Sequence, residues 1–161
     1  MALLKEIIQW CDQTLKSHEF KDYAPNGLQI EGKSEVKKIL CAVTASQDAI
    51  EAAIEQNADL LLVHHGYFWK GEPYPITGMR GKRIKSLIQN DISLAGYHLP
   101  LDAHPILGNN AAIADILDLE NIEALDPNER HPIGNIAYLK QAMSPEHFKD
   151  YLSERLGFNT I

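Results

Sequence analysis

The sequence predicts an α/β fold, a largely parallel or mixed sheet flanked by helices. Three observations carry this. Apolar residues at helical spacing alternate along the chain with short β-branched or apolar runs, the order expected of strand–helix–strand units. The run Asp59-Leu60-Leu61-Leu62-Val63 is almost wholly apolar and ends in His64-His65, which reads as a buried strand emerging at a polar rim. The length of 161 residues and a hydrophobic content of 45% suit one domain, 1–161, with a proper core.

Leu3, Leu4, Ile7, Ile8, Cys11 and Leu15 recur at helical spacing, so residues 3–16 are expected to form an amphipathic helix. Pro25 and Asn26-Gly27 mark a turn. Val36 to Thr44 reads as a strand. Residues 46–57 read as a helix with Ser46 as N-cap and Ala49, Ile50, Ala53 and Ile54 on one face. The strand ending in the histidine pair follows, then a long loop, 66–81, holding Gly, Pro and aromatic residues. Lys82 to Asn90 reads as a helix and Ile92 to Tyr97 as a strand. Asn109 or Asn110 is the expected cap of a helix running to about Leu117, and residues 121–132 look irregular. Asn135 to Leu139 reads as a strand. Ser144-Pro145 opens a last helix, with Gly157 suited to its C-terminal cap and a strand expected over 158–161.

A net charge of −7 lacks the basic footprint of general nucleic-acid binding. No apolar run approaches membrane-spanning length, and an acidic residue arrives at Glu6, too early for a signal peptide. A cytoplasmic location is the expectation. Cys11 and Cys41 fall in a helical and a strand pattern, so both are expected as buried thiols and not as a disulfide.

The chemistry concentrates after two strands. His64 and His65 follow one; His98-Leu99-Pro100-Leu101-Asp102-Ala103-His104 follows the other. In open α/β sheets the crevice beyond the carboxyl ends of the strands is where ligands bind, so both clusters should share one rim. Neighbouring side chains on a regular strand point to opposite faces, but where a strand breaks they can converge or hold one ion each. His64, His65, His98 and Asp102 form a mixed nitrogen and oxygen set. It suits zinc, iron or manganese better than calcium or magnesium. His98 can ligate, stand behind a ligand, or act as general acid or base. His104 is expected as a loop residue, and His18, His131 and His147 as solvated.

Three motifs in order, Tyr23-Ala24-Pro25-Asn26-Gly27-Leu28-Gln29, Val63-His64-His65-Gly66-Tyr67-Phe68-Trp69-Lys70-Gly71 and the 98–104 segment, resemble those of the GTP cyclohydrolase 1 type 2 homologues, also called Nif-three-like proteins. The resemblance covers essentially the whole chain, which looks like the first portion of a family member. It implies a Nif-three-like fold, a ring-shaped hexamer and a dinuclear metal centre in each subunit. By position, His64, His65 and Asp102 match metal ligands, with His98 a matching residue of proton-transfer or supporting role. Family members supply a further histidine and glutamate from a later motif, and no such motif follows Asp102 here.

The resemblance implies a divalent-metal-binding protein, a metal-dependent hydrolase of a nucleotide-like small substrate; the alternative is a non-catalytic, ring-forming metal-binding protein. On the hydrolase reading, Lys70, Arg80, Lys82 and Arg83 are candidates to meet phosphates, against the ordinary reading of 80–85 as a solvated helix face. Tyr67, Phe68 and Trp69 are candidates to stack on a purine, against the ordinary reading as core or subunit interface.

Overall fold

A computed structural model describes residues 1–158. Of the terminal strand expected over 158–161, all but Phe158 lies outside the described residues. The chain packs as two compact units, Met1–Pro100 and a second beginning at Leu101.

The first unit opens with a two-residue strand β1 (Ala2–Leu3) and helix α1 (Leu4–Leu15), which ends at Lys16 in the left-handed conformation. A single 3-10 turn, Ser17–Glu19, follows. Then come β2 (Gly27–Ile30), β3 (Glu35–Val36), β4 (Ile39–Thr44), α2 (Gln47–Glu55), β5 (Leu60–His65), α3 (Gly78–Gln89) and β6 (Ser93–Gly96). Strand β1 pairs with β3 antiparallel. The main sheet has the order β2-β6-β5-β4. Strands β4, β5 and β6 run parallel, and β2 is antiparallel to β6, so the sheet is mixed.

The α2 and α3 helices fill one side of the core. Ile50 and Ala53 of α2 and Ile84 and Leu87 of α3 pack with Leu61, Val63 and Leu94 from the sheet. Leu61, Leu87 and Leu94 are wholly buried, and each such side chain contributes roughly 1.5–3 kcal/mol of hydrophobic stabilisation. Ser46 caps α2 as expected, its hydroxyl accepting from the Ala49 N–H at 3.2 Å. Asp59, just before β5, is 8% exposed. Its carboxylate accepts from the Lys37 and Lys38 N–H groups at 2.9 and 3.2 Å and from Lys33 Nζ at 3.2 Å, tying the start of β5 to the approach to β4.

Three sequence expectations need correction in this unit. Residues 27–30 form β2 beyond the turn at Asn26-Gly27. Helix α3 begins at Gly78, four residues before Lys82, so the long loop is 66–77. Cys11 is buried as expected, but Cys41 is exposed, because it sits on the outermost strand of the sheet.

The second unit continues α4 (Leu99–Ala103) and holds α5 (Asn109–Ile116), β7 (Leu119–Ala124), β8 (Asn135–Leu139) and α6 (Pro145–Leu156). Gly108, not Asn109 or Asn110, occupies the N-cap of α5. Strands β7 and β8 form an antiparallel pair with an irregular register between Glu120 and Glu123. Strand β7 thus replaces the irregular segment expected over part of 121–132. Helix α6 matches its expected caps: Ser144 accepts from the His147 N–H, Pro145 opens the helix, and Gly157 closes it at φ 74. Tyr151 donates to the Leu117 carbonyl at 2.8 Å and Arg155 Nε to that of Ile116 at 2.6 Å, pinning α6 to the end of α5. No helix among the described residues is long and apolar enough to cross a membrane.

Candidate metal centre

Parallel pairing brings the carboxyl ends of β5 and β6 side by side, with Val63 opposite Gly96. His64 and His65 complete β5; Tyr97 and His98 follow β6. His64, His65 and His98 therefore come together, whereas Asp102 and His104 of the second cluster belong to the second unit. The rings of His64 and His65 lie 4.4 Å apart between centroids, and His98 lies 5.1 Å from His64 and 5.7 Å from His65. One ligand atom from each of the three lies within 4.8 Å of the others, and all three residues are half-buried.

Each imidazole is held by a different neighbour. His64 Nδ1 donates to the Tyr97 carbonyl at 2.9 Å. A carbonyl oxygen can only accept, so the proton sits on Nδ1 and the ring's lone pair on Nε2. His65 Nδ1 lies 3.2 Å from Thr44 Oγ1, on β4. The pair thus leans together although one ring is tied towards β6 and the other towards β4. His98 Nδ1 donates to Asp22 Oδ1 at 2.8 Å, and the His98 N–H donates to Asn26 Oδ1 at 2.8 Å.

Asp22 was not among the residues the sequence singled out. Its side chain is 3% exposed. Four donors converge on it: the Tyr23 N–H at 2.6 Å and His98 Nδ1 on Oδ1, and Asn26 Nδ2 at 3.0 Å and the Leu99 N–H at 2.9 Å on Oδ2. Burial by itself would raise its pKa, but the bonds from His98, Asn26, Leu99 and Tyr23 outweigh burial and hold the carboxyl below its ordinary value.

The 23–29 motif braces the same rim. Gln29 Oε1 accepts from the Tyr67 N–H at 2.8 Å, and its Nε2 donates to the Pro25 carbonyl at 2.8 Å. The amide lies against both Gly66 and Gly96: a Cβ on Gly66 would come within 2.1 Å of Gln29 Oε1, and one on Gly96 within 3.0 Å of Nε2. Tyr97 is anchored from below, its hydroxyl donating to Asp12 Oδ1 at 3.0 Å with the Ile8 carbonyl at 3.3 Å. Burial, with the Asp12 carboxylate beside it, pushes that hydroxyl far above its ordinary pKa, so it remains a donor.

The aromatic run divides into separate roles. Tyr67 is buried and donates to the Ala45 carbonyl at 2.6 Å, so it is core. Phe68 is 37% exposed. Trp69 stands edge-on to His98 with ring centroids 4.9 Å apart, and its Nε1 donates to the Gly66 carbonyl at 3.1 Å. Of the basic residues, Arg80 commits its guanidinium to the loop: Nη1 donates to Glu72 Oε2 at 2.7 Å and Nη2 to the Pro75 carbonyl at 3.0 Å as well as that of Pro73. Lys70 and Lys82 are exposed and Arg83 half-buried.

In the second unit, Asp102 is half-buried on α4 and its Oδ1 accepts from Asn109 Nδ2 at 2.7 Å. His104 is a loop residue, as expected, whose Nδ1 accepts from the Ile106 and Leu107 N–H groups at 3.2 and 2.9 Å. His18 and His147 are exposed, whereas His131 is half-buried.

Three imidazoles in one cluster fit a transition-metal ion such as zinc or iron, and not the all-oxygen shells of calcium and magnesium. The hydrogen bonds to the far nitrogens of His64 and His98 are of the kind that orient metal-binding histidines.

Comparison with known proteins gives the lineage. The family model described as Duf34/NIF3 (NGG1p interacting factor 3) matches residues 2–161. The chain is 62% identical over 152 residues to the GTP cyclohydrolase 1 type 2 homolog of Haemophilus influenzae, covering 94% of this chain and 60% of that protein. It is 44% identical over 154 residues to the Pseudomonas aeruginosa protein of the same name, covering 96% and 61%. The chain thus spans about three-fifths of the length of these curated relatives. Among solved structures, protein ybgI, described as of unknown function, superposes with a TM-score of 0.92 at 42% identity, over 99% of this chain and 63% of that one. TTHA1606 from Thermus thermophilus superposes at 0.86 with 34% identity, over 99% and 64%. With the motifs, the fold and the whole-chain match in agreement, this chain belongs to the DUF34/NIF3 family, among the GTP cyclohydrolase 1 type 2 homologues.

Proposed function

We propose that the protein binds divalent transition-metal ions through His64 and His65, with Asp102 as a carboxylate ligand and His98 beside them as an acid–base or supporting residue, and that it is a metal-dependent hydrolase of a nucleotide-like small molecule. The observation that carries the metal reading is the convergence of the three imidazoles at the ends of two parallel strands. His98 stands beside the pair as a third imidazole that can transfer a proton or stand behind a ligand. Asp102 and the second ion of a pair enter through the resemblance of the 98–104 motif, as does assembly into a hexamer.

A bound divalent ion supplies Lewis acidity for hydrolysis near neutral pH. The chain's own residues hold and shield that position. Thr44, Tyr97 and Asp22 orient the three rings. Trp69, fixed by Gly66, walls one flank and presents an aromatic surface to a base.

The test is metal content by elemental analysis of protein purified without added metal, beside a His64→Ala/His65→Ala variant, followed by a nucleotide hydrolysis screen. Near-stoichiometric metal in the parent, none in the variant, and turnover abolished by chelation are expected. A parent that binds no added zinc, iron or manganese refutes the metal reading. Tight metal with no turnover on any nucleotide refutes the hydrolase and leaves the non-catalytic metal-binding protein.

A further inference from the structure

The loop between β5 and α3 builds a cleft with a volume of about 250 Å³, lined by Phe68, Trp69, Glu72, Pro73, Tyr74 and Arg80. It adjoins the candidate metal centre, because the Trp69 ring lies 4.9 Å from that of His98 and 6.0 Å from that of His65. We propose that this cleft is a base-recognition subsite: Trp69 supplies the stacking surface, and Glu72 Oε1 accepts from the exocyclic amino group of a nucleobase. The inference rests on the nucleotide-like substrate proposed above and narrows it to bases that carry an amino group.

The Glu72 carboxylate is half occupied. Its Oε2 accepts from Arg80 Nη1 at 2.7 Å and from the Trp69 N–H at 3.1 Å. Its Oε1 accepts no hydrogen bond among the described residues. Arg80 is held in turn by the Pro73 and Pro75 carbonyls, which fixes the carboxylate it grips. The Arg80 and Glu72 side chains are only 16% and 30% exposed, so the unused acceptor stands partly withdrawn from water, where a matching donor counts for more. The loop around it is tied down as well. The Lys70 N–H donates to the Tyr23 carbonyl at 2.6 Å, and Trp69 Nε1 to that of Gly66 at 3.1 Å. Phe68 stands at φ 66, a left-handed conformation that an aromatic residue adopts only where its surroundings impose it. Such strain gathers at ligand clamps. Together these contacts set a planar face beside a fixed acceptor. Stacking tolerates any base, and the hydrogen bond to its edge selects among them. An exocyclic amino group supplies the donor that this acceptor lacks.

Glu72→Gln isolates that one contact. Arg80 Nη1 and the Trp69 N–H can only donate. The amide oxygen must therefore take the place of Oε2, which leaves the NH2 in the place of Oε1. Shape and stacking surface are kept, and an acceptor becomes a donor.

The experiment is calorimetric titration of the chain as purified with two pairs of nucleotides. One pair is adenosine and purine riboside 5′-monophosphate; the other is guanosine and inosine 5′-monophosphate. The members of each pair differ by a single amino group. In the parent, the amino-bearing member of at least one pair is expected to bind about 10–100-fold more tightly, the effect of one hydrogen bond to a charged group. Glu72→Gln is expected to erase that margin and to bind the member without the amino group as the parent does. Trp69→Leu is expected to weaken all the nucleotides alike. Equal parent affinities within both pairs, a folded Glu72→Gln chain that keeps the margin, or a Trp69→Leu chain with parent affinities overturns the subsite and leaves the nucleotide reading standing. If Glu72→Gln does not fold, the parent margin and its response to Trp69→Leu decide. A parent that binds none of these nucleotides overturns the subsite and the nucleotide-like substrate together.

Discussion

Gly66 has no room for a side chain, and the obstacle is a single amide. In Gly66→Ala the new methyl would meet Gln29 Oε1 at 2.1 Å, with Cδ and Nε2 at 2.7 Å. The Gln29 side chain can swing away, but both its hydrogen bonds then break. The Tyr67 N–H, on a residue 6% exposed, loses its acceptor, a loss of about 1–3 kcal/mol for a buried orphaned donor. The bond to the exposed Pro25 carbonyl adds about 0.5 kcal/mol. Gly66→Ala should therefore destabilise the chain by roughly 2–3 kcal/mol. Gln29→Ala breaks the same two bonds and should cost about as much, while also clearing the space. The double variant should be no less stable than Gln29→Ala alone, a coupling of roughly 2 kcal/mol between the two sites. Urea unfolding of the four metal-free chains, compared at constant m-value, measures this. Additive losses, or a Gly66→Ala midpoint equal to the parent's, would refute the reasoning.

Other expectations follow from single contacts. Asp59 has its pKa lowered first by the Lys37 N–H, against burial, with further help from the Lys38 N–H and Lys33. Its stabilising contribution is complete above the ordinary carboxyl pKa near 4 and is lost as pH falls through the lower folded value. Asp59→Asn should flatten the acid limb of a stability-against-pH curve, and superimposable limbs would exclude the effect. Leu87→Ala, at a wholly buried position on α3, should cost about 2–5 kcal/mol by chemical denaturation, with helix content retained by circular dichroism. Zinc at one hundred times its Kd should stabilise the parent by about 2.7 kcal/mol, seen as a raised Tm; His64→Ala should lose most of that rise.

Much of the fold was legible because its signals are local. The stripe of α1, the serine caps of α2 and α6 and the apolar run of β5 each follow from a few adjacent residues. Strand β2 escaped because it is four residues long, follows a turn signal, and is held by a partner in β6 more than sixty residues later. Strand β7 escaped because its glutamates and Asn121, at φ 51, break the alternation a strand shows. At the site, His64, His65 and His98 were legible from their place after strands. Asp22 was not: an acid between Lys21 and Tyr23 looks solvated, and only the tertiary pairing of β2 with β6 sets it against His98. Arg80, a candidate phosphate contact in the sequence, has its guanidinium engaged by Glu72 and by carbonyls of its own loop, which local sequence does not show.

The antiparallel position of β2 also bears on the order of folding. Strands β4, β5 and β6 connect through α2 and α3, so their contacts close short loops. The grip of Asp22 and Asn26 on His98 and Leu99 closes loops of 72 to 77 residues, and long closures carry the larger entropic cost before they are rewarded. The two halves of the histidine rim on β5 and β6 should thus assemble ahead of the carboxylate that steadies it. Substitutions at Asp22, Asn26 and Gln29 would then speed unfolding more than they slow folding. In kinetic terms, the last contacts made are those that fix the orientation of His98.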